Sequence, residues 1–374
     1  MLPPIPASFG RLSDVFTSSL DSVLGKANHL QLRPAKRVIT VLVDGLGAQN
    51  LKAASGHAPF LNSALAASKP ISCGFPSTTA TSISSFATGL QAGSHGMIGY
   101  KVYDRASSES FNLLNGWNET FVPEQWQTQQ TVSERAIAAG IGAFVIGPPA
   151  YEGSGFTRAT MRGATYIPAR TIADRLEAAA KLLRTNSGSF ICYLYVPELD
   201  QFAHSHGVTS DRWLVALEDL DAAVKGLVAK LQRTDALVLT ADHGIVDVKP
   251  HQQVLLDELD VDWSTVSCVA GDPRVNFVYL AKADDTERVR AQLQTGIGDT
   301  GLVLTAEEVI AANWYGTEVS EQTRLRMPEL YILALKNVAY YHRAYAPAAS
   351  LNMIGQHGGL SAAELQIPLL RWNL

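Results

Sequence analysis

Cysteine is scarce in this sequence, and long apolar runs are missing from it. Cys73, Cys192 and Cys268 lie far apart and form no CxxC pair, which argues against a disulfide framework or a cysteine zinc site. Residues 1–20 lack the basic region and apolar run of a secretory signal. No stretch approaches the roughly 20 apolar residues that a membrane-spanning helix needs. We therefore expect a cytoplasmic protein with no membrane partner.

A large excess of charge is also lacking. The formal net charge is −5 and the pI is near 6.0, whereas nucleic-acid-binding domains typically have a pI above about 9. We expect no nucleic-acid polymer as a partner, so a small anionic substrate must be held by metal ions or a few well-placed donors. Hydrophobic residues make up 47% of the chain and charged residues 17%, as in globular proteins. The sequence does not indicate an oligomeric state.

Apolar, β-branched runs alternate with helical patterns along the chain, which is typical of a buried parallel sheet covered by helices. The predicted strands are 37–43, 143–146, 190–196 and 236–240, and the predicted helices are 131–139, 171–183 and 211–231. Later in the chain the pattern changes to strands at 275–280 and 329–335 and helices at 284–294 and 306–313. We predict an α/β core at 1–249 and 342–374, with a mainly parallel sheet flanked by helices. A small α+β insertion is predicted at 250–341.

Carboxylates and histidines follow three of the predicted core strands. Asp44 follows the first strand, Asp200 and His204 follow the third, and Asp242 and His243 follow the fourth. Ligands of open α/β sheets bind beyond the carboxyl ends of the strands, so we expect these side chains to converge. Asp200 and His204 would share one face of a helical turn, and carboxylate with imidazole suits zinc. Taken singly, each element is also compatible with a turn, a helix cap or a polar loop.

Two further segments carry chemical groups. Residues 75–82 are rich in serine and threonine and run into a helical pattern, where most hydroxyls act as caps. A helix start also offers N–H groups to a phosphoryl oxygen, which suits a hydroxyl nucleophile placed there. Near the C-terminus, glycines frame His357. Three aspartates, three histidines and a hydroxyl together suit two zinc ions or similar metals.

The order of these elements resembles the alkaline phosphatase superfamily, and within it the nucleotide pyrophosphatase/phosphodiesterases. The shared order is an aspartate, a hydroxyl before a helix, Asp-x-x-x-His-x-x-Gly, Asp-His-Gly and a late histidine. It covers most of the chain. The resemblance implies two metal sites, one that activates the nucleophile, formed by Asp44, Asp242 and His243, and a second formed by Asp200, His204 and His357.

The resemblance also implies which residue is the nucleophile. The family's threonine lies nine positions before the threonine of a Thr-Gly pair, so Thr88 selects Thr79, which would also bind the first metal; Thr78 is the neighbouring alternative. His95 lies in a segment similar to one that follows this pair in the family, and we expect a structural role for it. The chain departs from the family at Ser82, which replaces an asparagine that helps to hold a phosphoryl oxygen. We assign Ser82 to substrate binding as a shorter donor.

These observations predict a hydrolase that uses two divalent metal ions, with zinc favoured by the mixed ligands and manganese as the alternative. It would cleave a phosphodiester or nucleotide pyrophosphate bond in a small phosphorylated substrate, such as a nucleotide, through a phosphothreonine intermediate. A phosphomonoesterase or a phosphonoacetate-type phosphonate hydrolase is the enzyme alternative, and a catalytically silent metal- or nucleotide-binding protein is the alternative of another class. Monoesterases commonly need an extra cation near the phosphoryl group, and Arg105, Arg158 and Arg162 are the candidates that folding would have to bring there.

Overall fold

The computed structural model describes residues 8–374. Residues 1–7 lie outside the described residues. They are the first part of segment 1–20, for which the sequence predicts no secretory signal. In chain order, the α-helices are α1 Leu12–Val23, α2 Ala48–Ala53, α3 Pro59–Ala66, α4 Thr79–Thr88, α5 Ala92–His95, α6 Pro123–Trp126, α7 Val132–Ala138, α8 Gly155–Thr160, α9 Ile172–Thr185, α10 Glu198–His206, α11 Asp211–Val228, α12 Thr286–Ile297, α13 Ala306–Ala311, α14 Glu321–Arg326 and α15 Ala362–Leu365. Among the helices within residues 8–374, none combines the length and the apolar character needed to cross a bilayer.

The strands form one large sheet, a second smaller sheet and several short pairs. In chain order, they are β1 Arg37–Val43, β2 Ile71–Ser72, β3 Lys101–Asp104, β4 Glu109–Asn112, β5 Gly142–Gly147, β6 Thr165–Pro168, β7 Phe190–Val196, β8 Asp235–Ala241, β9 Val246–Asp247, β10 Gln253–Leu255, β11 Val266–Asp272, β12 Val275–Leu280, β13 Gly301–Thr305, β14 Leu330–Ala334, β15 Ala339–Tyr341, β16 Gly355–Gln356, β17 Gln366–Ile367 and β18 Leu370–Trp372.

The large sheet has the strand order β18-β8-β1-β7-β5-β6. All neighbours are parallel except β18, which runs antiparallel to β8 at one edge. Helix α1 packs against β1 and β7, and α9 packs against β5 and β7. β1 and β8 are buried along their whole length, which explains why they read as continuous apolar runs. This sheet confirms the predicted α/β fold class.

The second sheet is antiparallel, with the strand order β11-β12-β14-β13, and α12 packs against β13. It has its own hydrophobic cluster, which includes Val269, Val278, Leu293 and Ile332. The strands predicted here are confirmed as β12 and β14, and the helices as α12 and α13. The parallel pair β10 and β15 brings the two ends of this segment side by side. The division into a core and an insertion at 250–341 stays a prediction.

Candidate functional site

The carboxyl edge of the large sheet brings together side chains that are far apart in the chain. Val43 at the end of β1 pairs in register with Val196 of β7 and Ala241 of β8, so the three strands end at the same level. Asp44 directly follows β1, and Asp242 and His243 directly follow β8. α10 begins two residues after β7 and carries Asp200 and His204. The convergence expected from the sequence is therefore present in the structure.

The first cluster consists of Asp44, Thr79, Asp242 and His243. His243 Nε2 lies 3.3 Å from Asp44 Oδ1 and 3.7 Å from Asp242 Oδ2. Thr79 is the first residue of α4, and its hydroxyl lies 3.2 Å from the same His243 Nε2. A glycine at position 45, with φ of 72°, turns the chain sharply after β1 and donates its N–H to Asp242 Oδ1 at 3.1 Å. The second Asp242 oxygen is left facing the cluster centre.

The second cluster consists of Asp200, His204 and His357. His204 Nε2 lies 3.2 Å from Asp200 Oδ2, and His357 Nε2 lies 4.0 Å from Asp200 Oδ1. The rings of His357 and His243 stack with centroids 3.8 Å apart, so the two clusters are adjacent. One atom each of Asp44, Asp200 and His243 also lie within 4.8 Å of one another. Asp200 therefore lies between the clusters as well as within the second.

Three backbone carbonyl groups orient the histidines of both clusters. The Nδ1 atoms lie 2.7 Å from the Gly355 oxygen for His204, 3.0 Å from the Ser77 oxygen for His357 and 3.3 Å from the Gly244 oxygen for His243. A carbonyl oxygen only accepts, so each Nδ1 carries a hydrogen, and Nε2 of a neutral ring presents a lone pair to its cluster. Fixing a ring through its second nitrogen in this way is common for histidines that bind metals.

The carboxylates of both clusters are suited to binding divalent cations. Asp44 Oδ1, Asp200 Oδ1 and Asp242 Oδ2 are buried and have no hydrogen-bond partner within residues 8–374. Burial, together with the charges of Asp242 and Asp200, raises the pKa of Asp44 well above its usual value. Burial and the charge of Asp200 raise the pKa of Asp242 to about 7. Packed carboxylates with unpartnered oxygens are stabilised by a bound cation, so the residues fit a metal centre.

The second cluster is partly balanced without an ion. Burial opposes the charge on both Asp200 and His204, but their mutual attraction outweighs it, lowering the pKa of Asp200 and raising that of His204 to about 9. In contrast, burial lowers the pKa of His243 to about 3. Burial, with the charge of His243, lowers the pKa of His357 well below its usual value. The last two rings are therefore neutral, which is the form that binds metal.

The hydroxyl residues near the start of α4 point in different directions. Thr79 faces His243, whereas the neighbouring Thr78 donates its hydroxyl to Asp272 Oδ1 at 2.8 Å. Ser82 is fully buried, and its hydroxyl has no partner among the described residues. It lies outside the lining of the large cavity described below. The geometry thus brings Thr79, but not Thr78, to the first cluster.

The three arginines considered as extra cations are bound elsewhere. Arg105 pairs with Glu329 at 2.7 Å, Arg158 with Glu124 at 2.9 Å and Arg162 with Glu134 at 3.3 Å. Folding therefore does not deliver them to the clusters.

A cavity of about 440 Å³ opens beside the first cluster and includes Thr79 in its lining. Among the described residues that line it, none carries a charge. Its aromatic lining residues are Trp117, Tyr151, Phe156, Tyr166, Tyr193 and Tyr195. This size and this mainly apolar lining are typical of sites that bind a small organic molecule.

Sequence reasoning missed two residues that contact the site. The Tyr195 hydroxyl donates to Asp44 Oδ2, and Asp272, at the end of β11, binds Thr78. The alternation of tyrosine along β7, at positions 193 and 195, is a signal for the first, because residues two apart share one face of a strand. No sequence signal ties Asp272 to α4. His95, by contrast, fits its expected structural role: it is buried, with Nε2 at 2.9 Å from the Ser85 hydroxyl.

Solved structures of known proteins share the fold of this chain. The murine ectonucleotide pyrophosphatase/phosphodiesterase 5 is similar to this chain with a TM-score of 0.70 and 17% identity, covering 89% of this chain and 87% of its own. The human protein of the same name gives a TM-score of 0.70 and 19% identity, with coverage of 89% and 87%. An inactive threonine-to-alanine variant of the murine protein, in complex with AMP, gives 0.69 and 16%, with coverage of 90% and 87%. At these identities the likeness shows the fold.

No curated protein sequence matches the chain at a significant level. The family model of type I phosphodiesterases and nucleotide pyrophosphatases, which are metal-dependent hydrolases, matches residues 38–360. This match covers the parallel strands of the large sheet from residue 38 onward, both clusters and the second sheet, whereas β18 lies beyond it. The chain therefore belongs to the type I phosphodiesterase/nucleotide pyrophosphatase family.

Proposed function

We propose that the protein hydrolyses phosphodiester or nucleotide pyrophosphate bonds through a covalent intermediate on Thr79. The observation that carries the proposal is the position of the Thr79 hydroxyl. It lies 3.2 Å from His243 Nε2 in the first cluster, and Thr79 also lines the 440 Å³ cavity. A hydroxyl between a charged centre and an organic-ligand cavity suits attack on a phosphorus atom that carries an organic group.

Two divalent ions would complete the site. The first would be held by Asp44, Thr79, Asp242 and His243, and the second by Asp200, His204 and His357. When bound, such ions lower the pKa of a nucleophilic hydroxyl and neutralise charge on the departing oxygen. The mixed nitrogen and oxygen ligands favour zinc, with manganese as the alternative. We also keep Ser82 as a proposed substrate-binding residue, although its burial gives this assignment no support.

The reaction has two chemical steps, and Thr79 takes part in both. Thr79 Oγ forms a bond to phosphorus as the bond from phosphorus to the leaving oxygen breaks, giving a phosphothreonine diester and the leaving group. Water then attacks phosphorus, the bond to Thr79 Oγ breaks, and the hydroxyl is restored. N–H groups in the first turn of α4, which begins at Thr79, would donate to a phosphoryl oxygen.

The cavity supports a nucleoside as the group that stays on phosphorus. Its uncharged aromatic walls suit a base and sugar, which stack and bury apolar surface. The AMP complex of the murine relative's inactive variant supports the same class of ligand. A diester carries one charge fewer than a monoester, and the pairing of Arg105, Arg158 and Arg162 with glutamates supports a preference for diesters.

The test compares wild type with Thr79→Ala on three substrates, p-nitrophenyl thymidine 5′-monophosphate, bis-p-nitrophenyl phosphate and p-nitrophenyl phosphate. Metal content is measured on the same samples by mass spectrometry. We expect about two ions per chain in the wild type, a preference for the nucleoside diester, and at least a 10³-fold loss of kcat in Thr79→Ala. Acid quenching followed by peptide mass spectrometry should locate the covalent nucleotide on Thr79.

Thr79→Ser serves as the matched control, since it keeps a hydroxyl at the same position. A preference for the monoester would move the assignment to a phosphomonoesterase, and cleavage of phosphonoacetate alone would move it to a phosphonate hydrolase. Bound metal without turnover on any ester would favour a catalytically silent binding protein. Full activity in Thr79→Ala would contradict the covalent mechanism.

We also propose that the protein works in the cytoplasm. Its three cysteines are free and buried, which suits a reducing compartment. Fractionation of native cells, with detection by antibody, tests this proposal, and recovery from an extracellular fraction would contradict it.

A further inference from the structure

The start of α4 differs from the other helix starts that carry serine or threonine. In eight α-helices within residues 8–374, the residue before the helix is serine or threonine. In seven of them its side chain accepts the N–H of the third helical residue; these residues are Thr131, Ser154, Thr171, Ser210, Thr305, Ser320 and Ser361. Thr78, before α4, makes no such bond. The helix that begins with the proposed nucleophile is thus the one whose hydroxyl does not cap it.

The Thr78 hydroxyl is instead bound by Asp272. Thr78 Oγ1 donates to Asp272 Oδ1 at 2.8 Å, and both residues are buried. Asp272 ends β11, so this bond joins the second sheet to the helix that starts at the active site. The other Asp272 oxygen accepts the N–H of Tyr100 at 3.4 Å.

Gly358 approaches Asp272 so closely that a side chain at this position would not fit. Gly358, with φ of 116°, follows His357 of the second cluster. A Cβ added at this glycine would lie 2.8 Å from Asp272 Cβ, which is closer than real Cβ contacts. The carboxylate is therefore packed between the loop that carries His357 and the residue before Thr79.

We propose that Asp272 is a positioning residue for the nucleophile. By accepting the Thr78 hydroxyl, it fixes the direction in which α4 begins and keeps this hydroxyl away from the N–H groups of the first turn. Those groups are then left for a phosphoryl oxygen, as the approach of an anion to a helix start requires. The buried, unpartnered Asp44 Oδ1, 3.3 Å from the His243 nitrogen that contacts Thr79, independently marks a charged ligand at this helix start. The proposal rests on the proposed function, in which Thr79 attacks phosphorus.

The first experiment compares Asp272→Ala and Asp272→Asn with wild type on p-nitrophenyl thymidine 5′-monophosphate. Loss of the acceptor misplaces the nucleophile, and displacements of about 1 Å cost about 100-fold in rate. We expect kcat to fall roughly 10- to 100-fold in Asp272→Ala, with KM within about threefold of wild type. Asparagine keeps an acceptor oxygen, so Asp272→Asn should recover kcat to within about fivefold of wild type. A general loss of structure would not be rescued selectively by asparagine.

The second experiment removes the Thr78 hydroxyl, which is the other partner of the hydrogen bond to Asp272. Thr78→Val should reduce kcat to a similar extent. The double variant with Asp272→Ala should be no more than about threefold slower than the slower single variant, because both changes remove one interaction. Thr171→Val is the matched control, since it removes a hydroxyl that caps its own helix, α9. This control should lower the thermal midpoint and leave kcat unchanged.

Wild-type kcat in Asp272→Ala would overturn the proposal, as would multiplicative losses in the double variant. An equal loss in Asp272→Asn and Asp272→Ala would also overturn it, because it would assign the effect to the charge of Asp272. Failure of the proposed function has a different signature, namely activity retained in Thr79→Ala. The two outcomes are therefore distinguishable on one set of proteins.

Discussion

The two clusters of the site differ in how far they are balanced without a ligand. In the first, Asp44 and Asp242 are almost completely buried; burial and the charge of Asp242 raise the pKa of Asp44, and burial and the charge of Asp200 raise that of Asp242. In the second, Asp200 has a positively charged partner in His204, which lowers the pKa of the aspartate despite its burial. The first cluster is thus built from groups that repel one another, and the second from groups that attract. A bound cation should stabilise the first cluster more than the second.

The difference has a physical cause in the elements that carry the residues. Asp44 and Asp242 follow adjacent central strands of one parallel sheet, so the paired backbones force their side chains together. Asp200 and His204 lie four residues apart on α10, where side chains of opposite charge meet on one helical face. The sheet therefore places two like charges side by side, whereas the helix places opposite charges side by side.

The largest expected effect is that of metal removal. Ions that bind only the folded state add about 4 kcal/mol to stability when their free concentration is about 1,000 times their Kd. We expect chelation to lower the thermal midpoint of unfolding and zinc to restore it, as measured by circular dichroism. Asp242→Asn should lose most of this shift, whereas His204→Gln should lose less. Identical behaviour of the two variants would remove the distinction between the clusters.

In the next test, one substitution in each cluster should change the free energy of unfolding in opposite directions. In the metal-free protein at pH 8, ionised Asp242 costs stability, because folding raises its pKa from 3.8 to about 7. This cost grows as the pH rises from about 4 to about 7. Asp242→Asn should therefore stabilise the metal-free protein by about 4 kcal/mol, since one pKa unit corresponds to about 1.4 kcal/mol. Asp200→Asn should destabilise it by about 1–3 kcal/mol, because His204 loses its partner. Urea unfolding measures both, and equal signs would refute the comparison.

Tyr195→Phe should weaken the first cluster alone. The Tyr195 hydroxyl donates to Asp44 Oδ2, and partners that hold a metal ligand are typically worth 10- to 100-fold in metal affinity. We expect a loss of this size for one of two ions in chelator competition, with the other unchanged. Tyr193→Phe, on the same strand, is the control and should change neither affinity. Equal weakening of both ions would place the role of Tyr195 in the whole site.

The effect expected to be smallest at neutral pH comes from a buried histidine outside both clusters. Burial lowers the pKa of His95 to about 3, and the charge of Arg326 acts in the same direction. The uncharged form is favoured by folding, so its contribution is complete above pH 6.5 and is lost as the pH falls towards 3. Each pH unit in this window should cost about 1.4 kcal/mol. In metal-free protein, His95→Gln should remove this part of the pH dependence of urea unfolding, and an unchanged slope would contradict the assignment.

Much of the fold could be predicted from the sequence because the core strands are buried on both faces. β1 and β7 were predicted with the bounds that the structure has, since their continuous apolar runs have few alternative structures. The helix α10 was not among the predicted helices, although the spacing of Asp200 and His204 is compatible with one face of a helical turn. Ser82 was chosen by position in a motif, and its complete burial is a property of α4 that position does not reveal.

The α/β class and the family could be predicted from the sequence alone, because they depend on local features in a fixed order, and the same features predict the carboxylates and histidines of the site. The contacts of Thr79 with His243 and of Thr78 with Asp272 arise from the packing of the folded chain. This packing alone tied the three candidate arginines to glutamates. Such contacts join residues up to 224 positions apart, and their geometry depends on how sheets and helices pack. Local sequence patterns carry no record of that packing.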